Sequence, residues 1–448
     1  MNFLAEKLVI CDASDVLWFN AEAIPVTASS LAFAFAQLPL KDWQSKRVAL
    51  GSMPVVELVS TLIFLDGLAD TILLLPNEDD PQTRAARLAQ ANVDIVIEKD
   101  GLGFAKLFEL ASAEPVSNTT QLPVRPASVA TTWLLPTSGT TGTPKLIPHS
   151  FASLTRSMTT RRIGDEYLWG SLYSLRRFAG LQVFLQSWMC GTPLVLNEED
   201  SDLSEVLARL VALGCNAISA TPSMWRKLSM FSLFDQLRLK QITLGGEIVD
   251  QAVLDMLTKR FPAARITHIY ASTEAGVGFA VRDGKSGFPA EYLISSPSGV
   301  AMRVDEHGHL CFSATLVKTS TINRDSTWVD SGDVVEIREG RVLFLGRANG
   351  SINVGGNKVM PEEIESVIKE LPEVAFVQVR ARKSAMLGSL VEAAITPMPG
   401  TVMDAAFKKK VITHCRARLD GFKVPAFIMA ADGIQLTASG KLSRMTVE

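Results

Sequence analysis

Residues 137–145 read Thr-Ser-Gly-Thr-Thr-Gly-Thr-Pro-Lys and follow the apolar run Trp133-Leu134-Leu135. Hydroxyls, two glycines and a lysine make a poor core segment and a good cradle for an anion. Gly139 and Gly142 let backbone amides turn toward a phosphate, while Thr137, Ser138, Thr140, Thr141 and Thr143 offer hydroxyl donors. Pro144 stops the loop from becoming helical, and Lys145 supplies a point charge. A Walker A loop is excluded: it needs four residues between its glycines, and only two separate Gly139 from Gly142. The segment points to a nucleotide site of another kind. Alone, a Gly/Thr-rich loop is more often a turn.

Four further segments carry groups of the same character. Tyr270-Ala271-Ser272-Thr273-Glu274-Ala275-Gly276 follows a predicted strand. Trp328-Val329-Asp330-Ser331-Gly332-Asp333 opens another, with Gly346-Arg347 beyond it. Gly355-Gly356-Asn357-Lys358 precedes Pro361-Glu362-Glu363. Near the end stands Leu436-Thr437-Ala438-Ser439-Gly440-Lys441. In this order and spacing the segments resemble the core motifs of the acyl-adenylate-forming enzymes. These comprise acyl- and aryl-CoA synthetases, nonribosomal peptide synthetase adenylation domains and luciferase. The resemblance runs over residues 47–444. Each segment alone has a bland reading as turn, cap or solvated tail; five in order do not.

The resemblance implies an ATP- and Mg²⁺-dependent acid:thiol ligase. A carboxylic acid displaces pyrophosphate from ATP, and the resulting acyl- or aryl-AMP passes its acyl group to a thiol. Negative charge gathers on the α-phosphate and the departing pyrophosphate, so aligned donors, a metal and cations matter more than a base. By the resemblance, Thr137, Ser138, Gly139, Thr140, Thr141, Gly142 and Lys145 grip the β- and γ-phosphates. Thr273 contacts the α-phosphate, and Glu274 helps hold Mg²⁺ as a hard oxygen ligand. Gly245, Gly246 and Glu247 line the adenine and acyl pocket, with Tyr270 stacking near the base. Asp333 and Arg347 bind the ribose hydroxyls. Lys441 bridges the acyl carboxylate and the α-phosphate, and Asn349 stands at the hinge, where Asp or Lys is usual. CoA is the expected acceptor; the alternative is the phosphopantetheine arm of a separate acyl carrier protein. Seven residues follow Lys441, so no carrier domain in cis is expected.

The acyl pocket departs most from the family pattern. Residues 171–180 read Ser-Leu-Tyr-Ser-Leu-Arg-Arg-Phe-Ala-Gly. Arg176, Phe178 and Gly246 are the candidate substrate residues, since an arginine there could meet a second acidic group. The plainer expectation is that Arg176 and Arg177 face solvent. Phe178, Tyr173 and Trp169 suit an aryl-sized pocket, though such residues are more often plain core.

The elements that must position these groups follow an alternating grammar. Residues 47–50, 71–75 and 94–97 read as strands, with helices at 54–68 and 81–92 between them. Residues 114–128, rich in Pro, Ser and Thr, form a connector. Helices at 204–213, 222–230 and 250–261 alternate with strands at 217–220, 241–244 and 265–270, and Thr221 suits an N-cap. Strands at 302–304, 309–312, 334–337 and 342–345 suggest a small β-rich subdomain. Pro361 opens a helix with Glu362 and Glu363 behind it. Glu365 and Lys369 read as an exposed i,i+4 pair. Strands at 374–379, 390–395 and 424–430 and a helix at 404–419 complete an α+β unit. The predicted architecture is a large layered α/β N-terminal domain, 1–348, with a β-rich subdomain, and a small mobile α+β C-terminal domain, 349–448.

Composition sets the class. With 448 residues, 47% hydrophobic, 20% charged and a net charge of −3, the chain reads as globular with a large core. That balance argues against nucleic-acid binding. No apolar run approaches the ~20 residues of a membrane span. Five scattered cysteines without a C-x-x-C pair suggest reduced, inert thiols and a cytoplasmic setting. His307-Gly308-His309 reads as a hairpin turn rather than a metal cluster, Gly101-Leu102-Gly103 as a turn, and Lys408-Lys409-Lys410 as a solvated helix face. Two readings of other classes stand beside the ligase: a catalytically silent nucleotide-binding protein, and a phosphoryl-transfer enzyme that yields ADP.

Overall fold

The structure, a computed structural model, describes residues 4–113, 129–137, 145–158, 166–274, 276–313, 328–384, 388–431 and 441. Arg47–Leu50, Thr71–Leu74 and Ile95–Ile97 are parallel neighbours, as their apolar runs predict. Thr132–Thr137 extends this sheet in parallel and then pairs antiparallel with Lys145–His149. Strands covered on both faces need apolar residues at every position, and Ile72, Leu73 and Leu74 are fully buried.

A second sheet has eight strands. Its order is Gly276–Val281, Arg265–Ser272, Gln241–Gly245, Ala217–Ala220, Trp169–Ser171, Leu194–Val195, Val16–Phe19 and Pro25–Thr27. The six inner strands are parallel, and the two edge strands are antiparallel. Gly245 lies opposite Ile269. Gly246-Glu247 and Thr273-Glu274 therefore emerge at the same carboxyl edge, where open α/β sheets bind ligands. Thr221 caps Pro222–Leu228 as expected, its side chain accepting from the Met224 amide.

The β-rich part is an antiparallel five-stranded sheet ordered Phe288–Pro289, Arg341–Arg347, Trp328–Arg338, His309–Ser313 and Met302–Val304. The turn at Gly308 joins its last two strands, and the Asp305 carboxylate accepts from the amides of His307 and His309. The C-terminal part has its own core, in which Val359, Ile364 and Ile368 pack with Val377, Val391 and Val411. Pro361–Ile368 and Ala405–Arg416 are its helices, and Val374–Ser384, Gly388–Pro397 and Phe427–Ala430 its sheet. The architecture is the layered α/β domain, β-rich part and smaller C-terminal unit that the sequence predicts.

One expectation about the C-terminal helix fails. Glu365 is not an exposed partner of Lys369: it is 2% exposed, and its carboxylate accepts from the Val379 amide at 2.9 Å. Lys369 lies instead beside Asp250 of the large domain. Helices Ala28–Ala36 and Phe178–Cys190 were not anticipated. They are apolar nearly all round, so they carry no 3.6-residue contrast between a wet and a dry face. All five cysteines are free thiols, four of them buried.

Candidate active site

The two ends of the phosphate-loop segment are held together. Thr137 and Lys145 are cross-strand partners, and Lys145 is exposed. Ser138, Gly139, Thr140, Thr141 and Gly142 lie outside the described residues.

His149, four residues beyond Lys145, ties this hairpin to the large sheet. Its Nε2 lies 2.8 Å from the Thr273 carbonyl oxygen, and its ring packs on Phe178 with centroids 5.6 Å apart. Thr273 and Glu274 are half-buried in the turn that follows Arg265–Ser272. Phe178 is a core residue, as the plainer reading expects, and from that core it backs the turn carrying Thr273. A Cβ at Gly276 would lie 4.0 Å from its Cζ. His149 was not among the sequence candidates; its signal was only its place in the strand leaving the loop.

At the neighbouring strand end, Gly246 takes φ +81°, a backbone region that disfavours side chains. A Cβ there would sit 3.4 Å from Lys441 Cε and 3.7 Å from Thr221 Cγ2. Lys441, some 200 positions away in sequence, therefore reaches the strand edge. The residue as a whole is exposed, but its ammonium end is crowded. Burial pulls its pKa below the usual lysine value, Glu247 and Asp333 oppose that pull, and Arg347 and Arg177 add to it. The Glu247 carboxylate accepts from the Ser223 amide at 2.9 Å, at the start of Pro222–Leu228. Tyr173 is buried beneath, its hydroxyl donating to the Gly245 carbonyl at 3.2 Å.

The third wall comes from the antiparallel sheet. Asp333 and Arg347 are cross-strand partners, and Arg347 Nη1 donates to Asp333 Oδ1 at 3.0 Å. The Tyr270 hydroxyl donates to Asp333 Oδ2 at 2.5 Å. Burial, reinforced by the Asp333 charge, pushes the Tyr270 pKa well up, so the phenol stays a neutral donor. Its ring stacks among Phe279, Phe312 and Phe344, with centroids 5.3–5.4 Å away. That packing fixes the ring against the sheet. An ionised carboxylate offers about four lone-pair sites, so two remain on Asp333 for further donors.

Arg176 corrects the expectation of a solvated side chain. It is 1% exposed, hence not solvated. Its guanidinium donates to the Leu50 and Met53 carbonyls at 3.2 and 3.4 Å and lies 3.8 Å from Glu199. Those bonds tie the loop before Phe178 to the first sheet. Arg177 pairs with Glu78. Asn349 is exposed in the short 3₁₀ turn Ala348–Gly350, and its φ is not positive.

The profile of the family described as AMP-binding enzyme matches residues 60–317, and that of the AMP-binding enzyme C-terminal domain matches 363–441. The chain belongs to the AMP-binding enzyme family. The 2-succinylbenzoate–CoA ligase of Listeria monocytogenes serotype 4b (strain F2365) is 27% identical over 410 residues, covering 85% of this chain and 84% of that protein. Surfactin synthase subunit 1 of Bacillus subtilis (strain 168) is 27% identical over 355 residues, 70% of this chain but 10% of that protein. Among solved structures, the anthranilate CoA ligase AuaEII in complex with anthranoyl-AMP superposes with a TM-score of 0.78 at 18% identity, covering 98% of this chain and 94% of that one. No helix among the described residues is long and apolar enough to cross a membrane.

Proposed function

We propose that this enzyme activates an aryl carboxylic acid and transfers it to CoA, with the adenylation site formed where Lys441 meets Gly246. The observation that carries the reading is that meeting: a distant cation lies within contact distance of a side-chain-free strand end. Electroneutrality favours it there, with Glu247 and Asp333 near enough to stabilise the ammonium. The aryl preference is supported by the 2-succinylbenzoate–CoA ligase relative, alignable over most of both chains. The alignment with surfactin synthase keeps a carrier-protein thiol as the alternative acceptor.

The residues divide the work as follows. Asp333 accepts the two ribose hydroxyls on its remaining lone pairs, while Arg347 and Tyr270 hold the carboxylate still. Gly246 leaves room for the adenylate and for Lys441. Thr273 donates to the α-phosphate, and the His149 contact fixes the Thr273 backbone. Residues 137–142 and Lys145 hold the pyrophosphate portion as it departs. Lys441 pairs with both the incoming carboxylate and the α-phosphate oxygen, lowering the repulsion between two anions that must approach.

Among the described residues no group of three His, Cys, Asp or Glu side chains converges on a common point. Glu274, a half-buried carboxylate that follows Thr273 in sequence, fits Mg²⁺, which takes one or two carboxylates and completes its shell with substrate phosphates and water. Bound there, Mg²⁺ supplies neutralisation of phosphate charge.

A pyrophosphate-release panel of fatty, aryl and dicarboxylic acids, each with ATP and then with CoA, tests the reading. An aryl acid is expected to give AMP, pyrophosphate and an acyl-CoA. ADP as the nucleotide product, or no release with any acid, would overturn it.

A further inference from the structure

We infer that Lys369 is a positioning residue for the adenylation half-reaction: its ammonium seats the C-terminal unit against Asp250, in the arrangement in which Lys441 reaches Gly246. The inference rests on the acid–thiol ligase reading above and on a C-terminal unit that changes position between half-reactions.

Asp250 caps the helix Gln251–Arg260 in the large domain. Its Oδ1 accepts from the Val253 amide at 3.0 Å and from Arg226 Nη2 at 2.5 Å. Oδ2 is buried and has no hydrogen bond among the described residues. Among the described residues the one further charge beside it is Lys369 Nζ, at 3.9 Å. Lys369 comes from the other unit, as the C-cap of Pro361–Ile368. Its side chain is only 17% exposed, uncommon for a lysine, and Asp250's is 4%. Burial works to raise the Asp250 pKa, but Arg226 and Lys369 outweigh it and hold the carboxyl ionised.

The other end of the same helix is seated too. A Cβ at Gly346 would lie 2.4 Å from Glu362 Oε2 and 3.2 Å from Met360 Cβ. Pro361–Ile368 therefore meets the large domain at both ends, by shape at Gly346 and by charge at Asp250. Two points fix an orientation where one would leave a pivot. The charge contact is also reversible. When Lys369 leaves, Asp250 keeps Arg226 and the Val253 amide, so no buried charge in the large domain is stranded. Lys369 itself moves to water. A contact of this kind biases the position of the small unit without being needed for the fold of the large one.

The test compares the two half-reactions in Lys369→Met and Lys369→Arg. Adenylation is read by ATP–pyrophosphate exchange with the acid that gives the wild type its fastest pyrophosphate release. Thioester formation is read from the synthetic adenylate of that acid and CoA. Lys369→Met is expected to slow adenylation about five- to tenfold and to leave thioester formation unchanged or faster, with the melting temperature unmoved. Lys369→Arg should restore the wild-type ratio. Equal losses in both half-reactions, or an unchanged ratio in Lys369→Met, would overturn the inference. If the wild type turned over no acid, the functional reading itself would fail. The seat would then be judged by dyes on Lys259→Cys and Lys409→Cys in a Cys11→Ser background: a distance distribution identical with and without Lys369→Met would overturn it, and a broadened or shifted one would support it.

Discussion

Replacing Asp333 by Asn keeps the shape of the ribose wall and removes its charge. In the folded enzyme the carboxylate, 9% exposed, already accepts from Tyr270 and Arg347. Its two spare lone pairs are assigned to the ribose hydroxyls. Charge-assisted hydrogen bonds are roughly twice as strong as neutral ones, at about 1.5–3 kcal/mol against about 1. Asn turns one acceptor oxygen into an amide donor, which faces Tyr270 or Arg347, both donors. One ribose bond is lost and the other weakened, a cost of about 1.5–3 kcal/mol, or about 10- to 150-fold. The assay is ATP–pyrophosphate exchange at varied ATP. The KM for ATP should rise by that factor, while the KM for the acid moves little, and circular dichroism should show an intact fold. An unchanged KM for ATP with a lowered kcat would refute the assignment of Asp333 to the ribose.

Three further outcomes are expected. His149→Ala loses the contact to the Thr273 carbonyl, worth about 1 kcal/mol, and should lower adenylation kcat about fivefold with little change in the KM for ATP; unchanged kcat would mean that the His149 contact does not steady Thr273. Gly180→Ala places a Cβ 2.1 Å from the Ser174 carbonyl oxygen, which is backbone and cannot swing away; overpacking of about 1–3 kcal/mol should lower the melting temperature by about 3–10 °C in a thermal scan, and an unmoved midpoint would contradict the close approach. Because burial lowers the Lys441 pKa, its ammonium is lost earlier than in a free lysine as pH rises. Adenylation should therefore fall on an alkaline limb below the ordinary value of about 10.4, and Lys441→Arg, which stays charged, should abolish that limb.

The legible parts of the sequence were those governed by short-range rules. The strands Arg47–Leu50 and Ala217–Ala220 match their apolar runs, and Thr221 and Pro361 mark helix starts by capping chemistry and ring geometry. The site motifs were visible because Gly, Thr and Lys in the order of residues 137–145 have little use in a core. The fate of Arg176 was hidden. An Arg-Arg pair reads as surface, and only the fold shows that Leu50 and Met53, over a hundred positions earlier, turn their carbonyls toward it. Glu365 misled for the same reason: its i,i+4 spacing to Lys369 is local, whereas the Val379 amide it satisfies lies on the next strand. His149 carries no motif of its own, and its importance comes from a contact 124 residues away.

The central claim is that Lys441 serves acid activation at the Gly246 edge and is dispensable for thioester formation. The direct measurement is the pair of half-reactions in Lys441→Ala: pyrophosphate exchange with ATP and acid, and transfer to CoA from the supplied acyl-adenylate. Losing a charged stabiliser of the transition state should cost about 10²–10³ in the first, with the second within about threefold of wild type. An equal fall in both, or full adenylation activity without the lysine, would contradict the account.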